Sequence, residues 1–148
     1  MKAYLPVLFL LLFAACNNQS KITSEKMDLN QLEGTWELNY ITGPRIAFDG
    51  LYPGRKPTMN FLVKDKKVSG FAGCNTYSGP FTLDGFNVDF NGPITSTKMA
   101  CEGQGETVFF NTLRKVTRYA IPDSSSNNSL SLLMGDVEMM RLRRIPNP

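Results

Sequence analysis

Residues 81–90 read FTLDGFNVDF, and this stretch is the clearest indication of the fold. Apolar and polar residues alternate on both sides of Asp84-Gly85, and an Asp-Gly pair between two alternating runs is a strong signal for a tight β-hairpin. A second hairpin is predicted over residues 59–72, where two alternating runs flank a polar turn at 64–67. These hairpins predict a chain built largely from short antiparallel strands.

The same alternation recurs near both ends of the chain. Trp36, Leu38 and Tyr40 alternate with polar residues, which predicts a half-buried strand with these three side chains on one face. Residues 130–142 predict a last hairpin around a Gly-Asp turn. With the shorter apolar runs included, about seven or eight strands are expected.

Two stretches depart from the strand pattern. Residues 42–57 hold several glycines and prolines, and they predict a long loop with one short strand at 46–48. Residues 105–118 place apolar side chains at i, i+4 and i+7 from Phe109, which predicts the one amphipathic helix of the chain. The expected fold is therefore mostly β with one helix, in the α+β class. We expect a small curved antiparallel sheet or partly open barrel with the helix packed on it.

The bulk composition is that of one small globular domain. The 148 residues are 42% hydrophobic and 20% charged, with a formal charge of +3 to which the N-terminal Lys2 contributes. A nearly neutral domain lacks the dense basic face that a nucleic-acid partner requires, so no nucleic acid is expected. The chain contains no histidine, which excludes Ser-His-Asp and Cys-His nucleophiles and zinc sites with imidazole ligands. We therefore predict no enzyme activity, no catalytic residues, no metal and no cofactor.

The N-terminus has the features of a bacterial lipoprotein leader. Met1-Lys2 supplies a short positive region, and residues 4–13 form an apolar run that is too short to span a bilayer. Two alanines then precede Cys16, an arrangement that resembles the processing site at which a lipid is attached to the cysteine. The alternative is an ordinary secretory signal with a chance cysteine. Lipidation of Cys16 would anchor the chain to the membrane of the cell envelope, facing the periplasm.

This leader sets the expected organisation of the chain. Asn17 follows the lipidated cysteine where an aspartate would favour retention in the inner membrane, so the outer membrane is the favoured location. The expected segments are a signal peptide at 1–15, a disordered polar tether at 16–28, a folded domain at 29–144 and a tail at 145–148.

The three cysteines require separate explanations. Lipidation accounts for Cys16 and leaves Cys74 and Cys101 as a pair in an oxidising compartment, where a disulfide is plausible. Closing this loop of about 28 residues would stabilise the fold by roughly 3–4 kcal/mol. Two buried free thiols, or a redox-active pair, remain as alternatives.

Three signatures in order along the chain resemble the META domain, the domain of the HslJ-like heat-shock lipoproteins. They read LEGTWEL at residues 32–38, VSGFAGCNTYSG at 68–79 and TKMAC at 97–101. The resemblance covers about residues 29–144. The motif residues that it carries over to this chain are Gly34, Thr35, Trp36, Gly70, Gly73, Cys74, Asn75, Gly79, Met99, Ala100, Cys101 and Glu106.

The resemblance implies a curved antiparallel sheet packed with a helix, and an envelope role linked to stress or, in some relatives, to secretion or motility. It implies no enzyme activity. We expect a monomeric, membrane-tethered module that binds an unknown envelope protein. One alternative is a carrier of a small apolar ligand such as a lipid, in a barrel lined by phenylalanines that include Phe61 and Phe86. Another is an inhibitor of an extracellular hydrolase that presents residues 42–57.

Two charged groups also have alternative interpretations. Glu102 and Glu106 flank the predicted helix start, where negative charge complements the helix dipole. Arg141 and Arg143 share one face of the last strand, where they would contact anionic lipid headgroups beside the tether or simply form a solvated strand end.

Overall fold

The computed structural model describes residues 29–122 and 128–146, and it folds them into one curled antiparallel sheet. The strands are β1 (Gly34–Ile41), β2 (Thr58–Leu62), β3 (Lys67–Phe71), β4 (Thr76–Pro80), β5 (Thr82–Asp84), β6 (Asn87–Asp89), β7 (Thr95–Ser96), β8 (Arg118–Ala120), β9 (Ser129–Met134) and β10 (Val137–Arg144). The helices are α1 (Phe48–Leu51) and α2 (Gly105–Leu113), and a 3₁₀ turn (Leu29–Gln31) precedes β1. The strand order β5-β6-β8-β9-β10-β1-β2-β3-β4-β7 makes a half-barrel.

The predicted fold class is confirmed, and so are the hairpins from which it was predicted. Asp84 pairs with Asn87, and Gly85 takes a φ of +62° in the turn between β5 and β6, a conformation that glycine adopts without strain. The hairpins β2–β3 and β9–β10 also lie where the alternation predicts them. The described residues form ten strands rather than seven or eight because several, such as β7 with two residues, are too short to leave a periodic signal.

The prediction that Tyr40 shares the inner face of β1 with Trp36 and Leu38 is wrong. The pairing of β1 with β10 shifts register between Leu38 and Tyr40, so Asn39 is an extra residue that forms a β-bulge. Trp36 and Leu38 are fully buried, whereas Tyr40 is exposed and lies under the guanidinium of Arg141 at 5.3 Å. One inserted residue thus reverses the face on which the end of the strand presents its side chains.

The short strand predicted at residues 46–48 is replaced by helix α1. The amides of Leu51 and Tyr52 donate to the carbonyls of Ala47 and Phe48 at 3.0 Å, which are i to i+4 helical contacts. The rings of Phe48 and Tyr52 lie 5.2 Å apart on one side of this turn. This segment therefore forms one helical turn. The glycines and prolines around it mask the helical spacing in the sequence.

Helix α2 ends earlier than predicted, at Leu113 rather than near residue 118. After it, the amides of Lys115 and Val116 donate to the carbonyls of Thr112 and Leu113, three residues back, so the chain tightens before it enters β8. Val116 remains buried. The apolar spacing therefore continues although the α-helix has ended.

The concave side of the sheet is filled with large side chains. Phe61 contacts Phe81 and Phe90, with ring centroids 5.4 and 6.2 Å away, in tilted and edge-on arrangements that aromatic rings favour. Fully buried residues also include Trp36, Leu38, Met59, Phe109, Leu130, Leu132 and Met140. Phe86 does not join them, because it lies in the β5–β6 turn and is half exposed. The expectation that Phe86 belongs to the interior is therefore wrong.

Candidate functional site

Five motif residues, Cys74, Asn75, Met99, Cys101 and Glu106, meet at one point of the fold, and we call them the clasp. Cys74 and Cys101 are joined by a disulfide with an S–S distance of 2.04 Å and a Cα–Cα distance of 5.9 Å. The prediction that these cysteines can form a pair is confirmed. The disulfide ties the β3–β4 turn to the segment 97–101, which leads into α2.

Asn75 holds the segment 97–101 from inside the clasp. Its side chain is 2% exposed, and its Oδ1 accepts hydrogen bonds from Thr97 Oγ1 and Met99 N, both at 2.8 Å. Its Nδ2 donates to the carbonyl of Met99 at 3.2 Å. A buried amide whose donor and acceptor are both satisfied in this way fixes the neighbouring backbone in one conformation.

Glu106 links the start of α2 to the same asparagine. One of its carboxylate oxygens, Oε2, accepts a hydrogen bond from Asn75 N at 2.9 Å and lies 3.6 Å from Cys101 Sγ. The sequence places Glu106 in the first helical turn, as the structure does. Its contact with Asn75 leaves no local signal in the sequence, because the two residues lie 31 positions apart.

Tyr52 packs against the clasp, and the sequence pattern did not identify it as a site residue. Its hydroxyl donates to the carbonyl of Gly105 at 3.0 Å, and burial raises the pKa of this hydroxyl, so it stays protonated as a donor. A Cβ atom on Gly73 or on Gly105 would lie 2.8 Å from the Tyr52 ring. Gly73 also has a φ of +101°, so its place in the motif follows from the backbone and the ring.

The first motif, at residues 32–38, also stabilises the fold, at the start of β1. Gly34 has a φ of +105°, and a Cβ there would lie 3.1 Å from the guanidinium of Arg144. That guanidinium donates to the carbonyl of Glu33 at 2.6 Å and stacks 4.2 Å above the ring of Trp36. Trp36 Nε1 in turn donates to the carbonyl of Leu32 at 3.0 Å. The motif therefore fastens the entry of the domain to its last strand.

The remaining small motif residues mark close approaches of the chain. A Cβ on Gly70 would lie only 2.0 Å from the carbonyl oxygen of Thr58, and one on Gly79 would lie 2.9 Å from the side chain of Ile94. Thr35 is buried, and its hydroxyl donates to Asn60 Oδ1 at 3.3 Å. Close packing therefore explains why small residues occupy these positions.

Met99 and Ala100 are the motif residues whose side chains face solvent. The side chain of Met99 is 62% exposed although its backbone N–H and carbonyl are both bonded to the buried Asn75. The exposed apolar side chain of Met99 therefore projects from a backbone that Asn75 holds in one conformation. It is the feature of the clasp that is available for contact with another molecule.

A cleft of about 300 Å³ opens beside the clasp, with the disulfide in its wall. The guanidinium of Arg55 lies 4.3 Å over the ring of Phe71 in this cleft. Glu102 and Glu106 also line it. The cleft therefore presents one cation, two carboxylates and an aromatic ring.

The clasp also contains a group of metal-ligating residue types. One potential ligand atom from each of Cys74, Cys101 and Glu106 lies within 4.8 Å of the others. Both sulfurs are covalently bonded to each other, so in this state neither is a thiolate that could coordinate a metal ion. The cluster is accordingly a disulfide with a neighbouring carboxylate.

The arginines of the last strand have carboxylate partners. Arg143 Nη2 lies 2.7 Å from Glu37 Oε1, and Arg141 is hydrogen-bonded to Glu138. The hydrogen bonds between Arg141 and Glu138 lower the pKa of Glu138 and raise that of Arg141. The positive charges of Arg141 and Arg143, which the sequence offers for contact with lipid headgroups, are thus balanced by carboxylates within the sheet.

The lipidation candidate Cys16 and the predicted segments 1–15 and 16–28 lie outside the described residues. Within the described part of the chain, no helix has the length and hydrophobicity that a membrane span requires.

The half-barrel, the packed α2 and the clasp together define a small disulfide-tied β domain. A family model for the META domain matches residues 28–146, and the chain belongs to this family. Among curated proteins no significant match was found. The fold resembles an NMR structure of a protein from Burkholderia xenovorans, with a TM-score of 0.62 and 24% identity over 78% of this chain and 83% of that one. It also resembles the crystal structure of a DUF4847 family protein from Bacteroides vulgatus, with a TM-score of 0.50 and 18% identity over 79% and 96% of the two chains.

Proposed function

We propose that this META domain protein is an envelope lipoprotein that binds an envelope protein without catalysing a reaction. In this proposal Cys16 carries the lipid anchor, the domain faces the periplasm from the outer membrane, and binding maintains the envelope under stress. The observation that carries the proposal is Met99, which is exposed but backbone-immobilised. A backbone that is already held in one conformation loses little conformational entropy on binding, and the flexible methionine side chain adapts its shape to a partner surface.

The composition of the clasp supports a binding role over an enzymatic one. The polar groups of Asn75 and Glu106 are bonded to other parts of the chain, and the two cysteines are bonded to each other. A nucleophile needs an adjacent base with a suitable pKa, and the chain has no histidine to supply one. The motif thus builds a rigid support for the surface around Met99.

The packed interior also favours a protein partner over a lipid carried inside the barrel. Trp36, Phe61 and Phe109 are fully buried where an enclosed acyl chain would have to lie. Side chains that already fill a core at native density leave no room for a ligand without rearrangement.

The binding proposal is tested by crosslinking in intact membranes followed by purification of the chain. Wild type should recover one specific envelope protein, and Met99→Lys should lose most of this recovery because a charge replaces the apolar contact. Leu62→Lys is the matched control, since Leu62 is an exposed apolar residue on β2, outside the clasp. Equal recovery with Met99→Lys and wild type would contradict the proposal.

The anchor is tested by the intact mass of the protein purified from membranes. The expected mass is that of the chain from Cys16 onward plus acyl groups, and Cys16→Ser should abolish the acylation. A soluble protein without acyl mass, or one processed at another position, would refute the anchor and leave the binding test unaffected.

A further inference from the structure

A second cleft, of about 520 Å³, lies between residues 42–46 and helix α2. Its charged lining residues are Arg45 and Lys115, and no acidic residue is among the described residues that line it. Apolar surface is contributed by Ile46, which is 49% exposed, whereas Met139 of β10 lines the cleft but is buried. The cleft therefore combines positive charge with exposed hydrophobic surface.

The same end of the domain carries a second exposed apolar group, on the turn between β9 and β10. Met134 and Val137 pair across this turn and are 43% and 56% exposed. Asp136 lies between them, and its exposed carboxylate is 3.4 Å from Arg118 Nη1, which balances its charge. The turn is joined to the segment that follows Lys115, because Gly135 N donates to the hydroxyl of Thr117 at 3.0 Å. We call Arg45, Ile46, Lys115, Met134 and Val137 the distal end, since β1 ends here, opposite the point where it begins.

We propose that the distal end docks on a bilayer surface that bears anionic lipid headgroups. Exposed apolar side chains next to cations match the boundary between headgroups and acyl chains, where hydrocarbon is buried while charge stays beside phosphate. Lysine and arginine suit this position because their stems are apolar and their charged ends reach the polar layer. The cations would also suit an acidic peptide, and binding to polyglutamate distinguishes this occupant from a bilayer.

The chain is long enough to allow this contact. Strand β1 has eight residues and separates the two ends of the domain by about 26 Å. Residues 17–28 comprise twelve residues, which can span up to about 40 Å when extended. The distal end can therefore reach the membrane in which a lipid on Cys16 would be inserted. The relevance of docking in the cell rests on the anchor of the proposed function, but the contact itself can be measured without it.

The test uses the mature chain with Cys16→Ser, so that the lipid contributes nothing to binding. We expect it to sediment with phosphatidylcholine vesicles that contain phosphatidylglycerol and to bind much less to phosphatidylcholine alone. Arg45→Gln combined with Lys115→Gln should lower the partition coefficient by about thirtyfold, because each cation near an anionic surface contributes roughly fivefold.

The control removes the same charge at the opposite end. Lys64→Gln combined with Lys67→Gln acts at the β2–β3 turn, which lies beside the start of β1, and should leave binding nearly unchanged. Equal losses with the two pairs would show attraction by net charge alone and would overturn the proposal. Binding to polyglutamate but not to anionic vesicles would overturn it in favour of an acidic protein partner.

A second measurement tests insertion. Val137→Trp should be quenched by brominated phospholipid in anionic vesicles, whereas Leu62→Trp, near the opposite end, should not. Trp36 is fully buried and supplies the same background in both variants. Absence of quenching at position 137 in vesicle-bound protein would contradict docking through the distal end. Failure of the anchor would instead appear as absent acyl mass on Cys16, with the vesicle results intact.

Discussion

The clasp and the distal end flank the same helix but use their polar groups in opposite ways. In the clasp, Asn75 and Glu106 form a hydrogen bond with each other, and Asn75 forms another with the backbone of Met99. At the distal end, Arg45 and Lys115 line an open cleft beside the exposed Ile46. The motif residues therefore mark where the domain holds itself together. Apart from Met99, the surface that we propose for contact with other molecules lies outside the motif.

The largest effect expected from breaking the motif is that of Gly70→Ala. The added Cβ would meet the carbonyl oxygen of Thr58 at 2.0 Å, so β2 and β3 must separate where they pair. We expect a loss of about 4 kcal/mol or more in the free energy of unfolding, measured by urea denaturation.

Gly54→Ala is the control for this substitution, because a Cβ on Gly54 has no neighbour within 4 Å. Its free energy of unfolding should stay within about 0.5 kcal/mol of wild type, as for most surface substitutions. Similar losses for both variants would show that Gly70 is not set by the close approach of β2.

The next largest effect is expected from removing the disulfide by Cys74→Ala combined with Cys101→Ala. Loop-closure entropy for a separation of 27 residues predicts a loss of about 3.5 kcal/mol. Urea denaturation under non-reducing conditions measures this loss. By contrast, Arg45→Gln combined with Lys115→Gln should change stability by less than about 0.5 kcal/mol. A destabilisation of similar size for the two pairs would remove the distinction between clasp and distal end.

A smaller effect is expected for Tyr52→Phe, which keeps the ring between Gly73 and Gly105 and removes only the hydroxyl. The lost hydrogen bond to the carbonyl of Gly105 should cost about 1 kcal/mol in the free energy of unfolding. Tyr52→Ala should cost about 3–5 kcal/mol because it also leaves a cavity. Equal losses for the two variants would show that the ring contributes no packing to the clasp.

The features that sequence analysis predicted are those with a local physical signature. Asp84-Gly85 defines a hairpin because turn conformation is set by adjacent residues. The pairing of Cys74 and Cys101 followed from the expected compartment and an odd cysteine count. The family motif likewise indicated which residues matter, although not what each one contacts.

The features that escaped prediction depend on contacts between distant parts of the chain. Asn75 meets residues more than twenty positions away, and Tyr52 lies in a segment whose glycines and prolines predicted only a loop. The bulge at Asn39 is a one-residue insertion that leaves no mark on a period-two pattern. The cleft between Arg45 and Lys115 joins segments about seventy residues apart, so only the folded chain could show it.

The smallest predicted effect concerns Glu138, at the start of β10 beside the distal end. Hydrogen bonds from Arg141 and Ser131 hold its pKa below the ordinary value of 4.5. A depressed carboxylate pKa stabilises the fold above the unfolded-state pKa, and this contribution is lost as the pH falls through the folded-state value. Glu138→Gln should therefore cost less than about 1 kcal/mol at pH 7, as expected for a pair near the surface. The difference from wild type should shrink as the pH falls below the ordinary value of 4.5.

Thermal unfolding of Glu138→Gln and wild type between pH 7 and pH 3 measures this convergence. Asp136→Asn is the matched control, because the Asp136 side chain is fully exposed and lies 3.4 Å from Arg118 in a more open ion pair. It should show almost no stability difference at any pH, since solvent screens an exposed pair. A loss of thermal stability in Glu138→Gln that stays constant across this pH range would mean that the Glu138 side chain contributes through packing rather than through its negative charge.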